Sequence, residues 1–179
     1  MKPPALAAVF WVALSGPALA EVLETSSPNS FTVESGVVVQ GTPDVAFSAL
    51  TRRIGEWWDS AHSWSGDARN LSLEPRAGGC FCEQLPASGG SVQHGQVVFS
   101  QPGKLLRLDA SLGPFQEMAV KGVLTFRIAA EGSATRVTVN YRVSGAFTLD
   151  PAKLAPMADR MLAAQMQRLQ ALLAGQSAK

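Results

Sequence analysis

The segment DPAKLAPMADRMLAAQMQRLQALLAG, Asp150 to Gly175, most constrains what this chain can fold into. Leu154, Ala158, Met161, Leu162, Leu169, Leu172 and Leu173 recur at helical spacing and form an apolar stripe. Asp150 is a natural N-cap, Pro151 sits at the first helical position and Gly175 ends the run. Pro156 falls within the first turns, where a proline is better tolerated than deeper in a helix. A helix this long with one apolar stripe needs a partner surface, and the rest of the sequence offers only the apolar face of a sheet.

That sheet is written as alternation. Leu124, Phe126 and Ile128 stand against Thr125 and Arg127, and Val137, Val139, Tyr141 and Val143 against Thr138, Asn140 and Arg142. One face is apolar and the other polar and charged, as in an antiparallel sheet with one wet side. Upstream, NLSLEPR, CFCEQL, SVQHGQVVFSQ and LLRLDASL read as further short strands, separated by Gly78 and Gly79, PASGG, Pro102 and Gly103, and Gly113 and Pro114. Before them FTVESGVVVQG makes a first strand, and TPDVAFSALTRRI a helix of about three turns with Thr42 as N-cap and Pro43 after it. The order predicts an α+β fold in one domain, 31–174, with a twisted antiparallel sheet of about seven strands wrapped around the C-terminal helix and one or two short helices after strand 1. A closed lipocalin-like barrel is the rival, and the early helix counts against it.

Residues 1–20 read as an export signal. Lys2 precedes an apolar run from Ala5 to Leu14, shorter than the roughly 20 residues that span a bilayer. Gly16 and Pro17 follow, then Ala18 and Ala20 around Leu19, which predicts cleavage after Ala20 and a periplasmic or secreted location. Residues 21–30 make a polar leader and 175–179 a tail. Removing residues 1–20 leaves 14 basic against 14 acidic residues, a balance that argues against nucleic acid and anionic membrane as partners. No other apolar run approaches spanning length. Cys80 and Cys82 are read as free thiols, because Cα atoms two apart in a regular strand lie roughly 6.5 Å apart, at the far edge of disulfide geometry. Asn70 to Ser72 form a glycosylation sequon, relevant only in a eukaryotic host.

The stretches EWWDSAHSWSGD, LEPRAGGCFCEQ, QHGQVVFSQPGKLLRL, LGPFQ and ADRMLAAQMQRL, taken with the element order, resemble the SRPBCC superfamily. These are the helix-grip folds of START domains and the birch-pollen allergen, and the likeness is greatest to the branch named after the heat-shock ATPase activator and polyketide cyclases. The resemblance runs from about Thr32 to Leu173. It implies a deep, mostly apolar cavity between sheet and long helix, which most members use to bind or carry hydrophobic molecules and a minority use for cyclisation or dehydration. The co-chaperone role is not carried over, because the ATPase partner is intracellular and this chain has an export signal.

Candidate site residues are few. Trp57, Trp58 and Trp64 crowd three of the chain's four tryptophans into IGEWWDSAHSWSG, as a plug, a pocket mouth or both. His62 lies between Asp59 and Asp67, either of which could orient an imidazole, although a histidine capping a turn is the commoner case. His94 sits mid-strand beside Gly95, where the missing side chain admits a close neighbour. If PASGG joins two paired strands, His94 faces either Cys82 or Glu83, depending on register. The first case groups Cys80, Cys82, His94 and possibly His62 as zinc-type ligands, although C-x-C is not a recognised zinc spacing. The second makes Glu83 and His94 a buried acid-base pair able to anchor a ligand's head group. Tyr141, the only tyrosine, points its hydroxyl inward and needs a partner, be it a ligand, water or the long helix. Met157, Met161 and Met166 offer adaptable contact surface, or plain core.

There is no G-x-S-x-G elbow, H-E-x-x-H, G-x-G-x-x-G or P-loop, so the familiar hydrolases, zinc proteases and nucleotide enzymes lose support. The expectation is a binder of a small hydrophobic molecule, lined by Trp57, Trp58, Trp64, Phe81, Glu83, His94, Tyr141, Met157 and Met161. No cofactor is called for. The alternatives are a cyclase- or dehydratase-like enzyme using Glu83, His94, Tyr141 or His62, and a protein-interaction module without ligand.

Overall fold

The computed structural model describes residues 28–175. The export signal with its cleavage site, the polar leader up to residue 27 and the tail beyond residue 175 lie outside the described residues. The element order is β1 (Ser30–Gln40), α1 (Pro43–Arg52), α2 (Ile54–Trp57), then two 3-10 turns (Ser60–His62 and Ala68–Asn70) and β2 (Leu71–Leu73). It continues through β3 (Cys80–Leu85), β4 (Gly90–Gln101), β5 (Leu105–Ala110), a 3-10 turn (Gly113–Glu117), β6 (Ala119–Glu131), β7 (Ala134–Ala146) and α3 (Pro151–Leu173).

Among the described residues the strands form one antiparallel sheet in the order β1-β7-β6-β5-β4-β3-β2. Six strands run as a meander because each connection is a short turn, and β1 closes onto the far side of β7. The sheet does not join β1 to β2, so the barrel rival falls: the chain between those strands is spent on α1 and α2 instead. The alternation read from the sequence holds, with Leu124, Phe126 and Ile128 of β6 and Val137, Val139, Tyr141 and Val143 of β7 all buried.

Helix α3 starts where expected, with the Asp150 carboxylate accepting from Ala152 N–H at 2.9 Å. It lies against β1, with α1 and α2 beside it. Leu154, Leu162, Met166 and Leu169 are buried along it, each stabilising the fold by roughly 1.5–3 kcal/mol relative to exposure. Met161, Leu172 and Leu173 pack at the margin of this core. The Thr42 cap of α1 is also present, its hydroxyl accepting from Val45 N–H at 3.4 Å.

Two irregularities position the site. The pairing of β3 with β4 shifts between Phe81 and Cys82, so that Phe81 faces Gly95 and Cys82 faces Gln93, with His94 as the extra residue of the bulge. A Cβ at Gly95 would lie 2.6 Å from the Ala110 Cβ, so the bulged strand can sit this close to β5 only with glycine there. The contraction of β3 at the same place corrects the free-thiol reading. Cys80 and Cys82 are disulfide-bonded, their Cα atoms 5.4 Å apart, nearer than a regular strand allows and well within disulfide range.

Candidate functional site

The tryptophan-rich stretch divides its duties. Trp57 ends α2, is 1% exposed, and donates its indole N–H to Ala49 O at 3.2 Å, so it is core. Trp58 turns the other way and donates to His62 O at 3.0 Å, closing the 3-10 turn against its own ring. Asp59 caps that turn through Ala61 N–H at 3.0 Å, while its own N–H donates to Gln165 Oε1 of α3 at 2.8 Å. Trp64, 53% exposed, stands at the rim. The segment is therefore a built lip, pinned to α3 at one end.

Glu83 pins the other end. Its carboxylate is fully buried and accepts from Trp64 N–H at 3.0 Å and Ser65 N–H at 2.5 Å. It also meets His94 Nε2 at 2.8 Å. Burial pushes this carboxyl toward its neutral form, but the hydrogen bonds from Ser65, Trp64 and His94 outweigh it and hold the group below the usual glutamate range. Neither register foreseen from the sequence is the one formed: Glu83 pairs with Val92 and Cys82 with Gln93. The Glu83–His94 contact forms all the same, because the bulge turns the imidazole inward toward the face that Glu83 already occupies. Phe81 packs under the imidazole with ring centroids 5.0 Å apart and meets Trp58 at 5.5 Å.

Between this lip, α3 and the turn Gly113–Glu117 lies a cavity of about 350 Å³. Trp58, His62 and Trp64 form one wall, Leu112 and Phe115 the opposite one, and Leu154, Met157, Ala158 and Met161 the helical side, with His94 projecting from the sheet. Met157 is 58% exposed at the edge of the opening. The volume falls at the lower end of the range for sites that hold drug-sized molecules.

Of the residues expected at the site, Trp58, Trp64, His62, His94, Met157 and Met161 line this cavity, whereas Trp57, Phe81, Glu83 and Tyr141 stand behind it or away from it. Glu83 acts on the cavity indirectly, by holding His94 and the backbone of the lip at Trp64 and Ser65. Tyr141 donates its hydroxyl to Ala110 O at 3.1 Å and accepts from Leu112 N–H at 3.2 Å, so backbone takes the place of the foreseen ligand, water or helix. Burial drives its phenol far above the ordinary range, and a phenol so held is no acid-base group at neutral pH. Nearby, a Cβ at position 122 would lie 2.0 Å from Ala110 O and 2.7 Å from the Tyr141 hydroxyl, which is why Gly122 stands there. Met166 is core.

His62 is not paired with either flanking aspartate, since Asp59 caps Ala61 and Asp67 binds Arg69. The zinc-type set does not assemble. Cys80 and Cys82 are oxidised and lie on the opposite face of β3 from Phe81 and Glu83, and the described residues hold no cluster of three metal-ligating side chains. The sequence reading missed Leu112, Phe115, Leu154 and Ala158. LGPFQ had stood out as a motif, but without coordinates nothing in it said that its turn forms a cavity wall.

No protein-family model matches the chain, and no curated protein sequence matches it. Solved structures do. Protein MLL2253 from Mesorhizobium loti superposes with a TM-score of 0.59 at 21% identity, over 80% of this chain and 97% of that one. DynU16, a protein of the dynemicin biosynthetic locus, gives 0.58 at 18%, over 83% of this chain and 49% of that one. The Aha1 dimer from Colwellia psychrerythraea gives 0.57 at 14%, over 79% and 95%. These are likenesses of fold, and with the strand order and the long closing helix they show that the chain has a helix-grip fold, the fold that the motif resemblance implied.

Proposed function

We propose that this is an exported binding protein that holds one small hydrophobic molecule between its lip, α3 and the Gly113–Glu117 turn. The observation that carries this reading is the cavity itself: about 350 Å³, walled by tryptophan, phenylalanine, leucine and methionine side chains, with a single imidazole projecting from the sheet. Apolar walls supply affinity in proportion to the area they cover, and one polar group supplies orientation. Export is supported by the N-terminal sequence, with its apolar run from Ala5 to Leu14 and the small residues Ala18 and Ala20 around Leu19.

The test is native mass spectrometry of the protein recovered from its own secretory compartment, followed by extraction and identification of the bound molecule. A stoichiometric apolar ligand, with tryptophan emission changing on its removal and return, is the expected result. Protein that is empty as isolated and indifferent to a panel of apolar compounds overturns the reading. Recovery from the same fraction of a chain beginning at Glu21 tests the export part.

A second reading has one observation in its favour, the 2.8 Å contact of Glu83 with His94, which is the arrangement of an oriented general base. The fold shared with a protein of the dynemicin biosynthetic locus supports the same direction. Conversion of the extracted ligand by the wild type, lost in His94→Phe, separates enzyme from carrier.

A further inference from the structure

The cavity has a chemical polarity that follows from Glu83. An ionised carboxylate can only accept hydrogen bonds, and this one already receives the N–H groups of Trp64 and Ser65. Its contact with His94 Nε2 at 2.8 Å therefore requires the proton on Nε2. In the neutral imidazole that leaves a lone pair on Nδ1, which has no hydrogen-bond partner among the described residues, on a ring that lines the cavity. Of the other polar groups on the lining, Trp58 Nε1 donates to His62 O and Ser63 Oγ to Ser60 O, and the His62 imidazole stands on the exposed lip, so His94 is the buried polar group that faces the cavity.

Building on the ligand-binding reading above, we propose that this cavity selects apolar molecules bearing one hydroxyl donor, of the alcohol or phenol class, received by Nδ1 of His94. Glu83 is the positioning residue that keeps that nitrogen an acceptor. A ligand without a donor leaves Nδ1 buried and unanswered; a ligand with several polar groups sets them against Leu112, Phe115, Leu154 and Met161, which cannot answer them. The volume further favours a compact molecule the size of two fused rings over a long-chain lipid.

The experiment titrates the whole protein calorimetrically, in mildly alkaline buffer, with naphthol, its methyl ether and naphthalene, three probes of like shape that differ in the donor. Naphthol is expected to bind about tenfold more tightly than the ether. In His94→Phe all three should bind within about twofold of one another. Nitrogen-15 spectra of the imidazole report the tautomer directly, with Nε2 protonated and Nδ1 bare. In Glu83→Leu the preference for naphthol should shrink and the spectrum should shift toward averaged tautomers, the second being an effect that loss of the lip's backbone bonds alone does not produce. Should the leucine variant fail to fold, the wild-type spectrum and His94→Phe decide alone. Equal binding of naphthol and ether beside measurable naphthalene binding overturns this inference and leaves the cavity reading standing. A proton found on Nδ1 likewise overturns it. Failure of all three probes to bind overturns both.

Discussion

Two buried carboxylates in this protein behave in opposite ways. Glu83, on β3, is completely enclosed and is held in its ionised form by three donors. Asp159, on the buried side of α3, has an oxygen, Oδ1, with no hydrogen-bond partner. Burial there raises the carboxyl above the usual aspartate range, and the nearby Arg160 charge only partly opposes it. Enclosure alone thus does not decide the state of an acid; the number of N–H groups aimed at it does. Donors converge on Glu83 where the lip meets the sheet, and none reaches Oδ1 of Asp159 on α3. That contrast marks Glu83 as part of a built site and Asp159 as a liability.

The contrast can be broken experimentally. Glu83→Leu strands three donors at once and should cost roughly 3–5 kcal/mol in denaturant unfolding, with the lip around Trp64 loosened. An unchanged midpoint would mean that those bonds contribute nothing net. His94→Phe removes one donor and leaves the two backbone ones, so its cost should be smaller, about 1–2 kcal/mol by the same measurement. Asp159→Leu carries the opposite sign: the protein should gain about 1–2 kcal/mol at neutral pH, because an uncompensated charge is removed from packed surroundings.

Acid titration separates the two carboxylates by sign. Glu83, with its folded value lowered, contributes stability that is complete above the ordinary glutamate range and is lost as pH falls through that lowered value. Asp159, with its folded value raised, contributes stability that is complete below the ordinary aspartate value and is lost as pH rises through the raised one. On acidification from neutrality the wild type should therefore first gain slightly. Asp159→Asn should show no such gain, measured by urea unfolding across the range. The smallest expected effect is reduction of Cys80–Cys82. A ring closed over one intervening residue restrains the unfolded chain little, so the loss should be no more than about 1.5 kcal/mol. The imidazole tautomer should persist, since sheet pairing holds the bulge.

Much of the architecture was legible because it is periodic. The alternation in β6 and β7, the caps at Thr42 and Asp150 and the stripe on α3 each follow from a repeat of two or of 3.6 residues, and each appears where read. The site was legible only in fragments. The acid and the histidine could be named from their types, but their register could not, because a bulge adds one residue without any mark in the hydrophobic pattern. The donors that hold Glu83 are backbone groups of Trp64 and Ser65, which carry no side-chain signature at all. Tyr141 was misassigned for a related reason. An inward phenol shows that a partner is required, and only coordinates show that Ala110 and Leu112 already fill that role.

The tie from Tyr141 to the backbone ahead of the Gly113–Glu117 turn reaches beyond the cavity wall it steadies. The turn's position depends on a phenol that closes against Ala110 O and Leu112 N–H, and the phenol fits only because residue 122 has no side chain. In a saturation mutagenesis scan, position 122 should therefore be as intolerant as His94, though it touches no ligand and sits on a different strand. Even alanine there should register as a loss of binding. Such a scan would mark as functional a residue whose only role is to leave room.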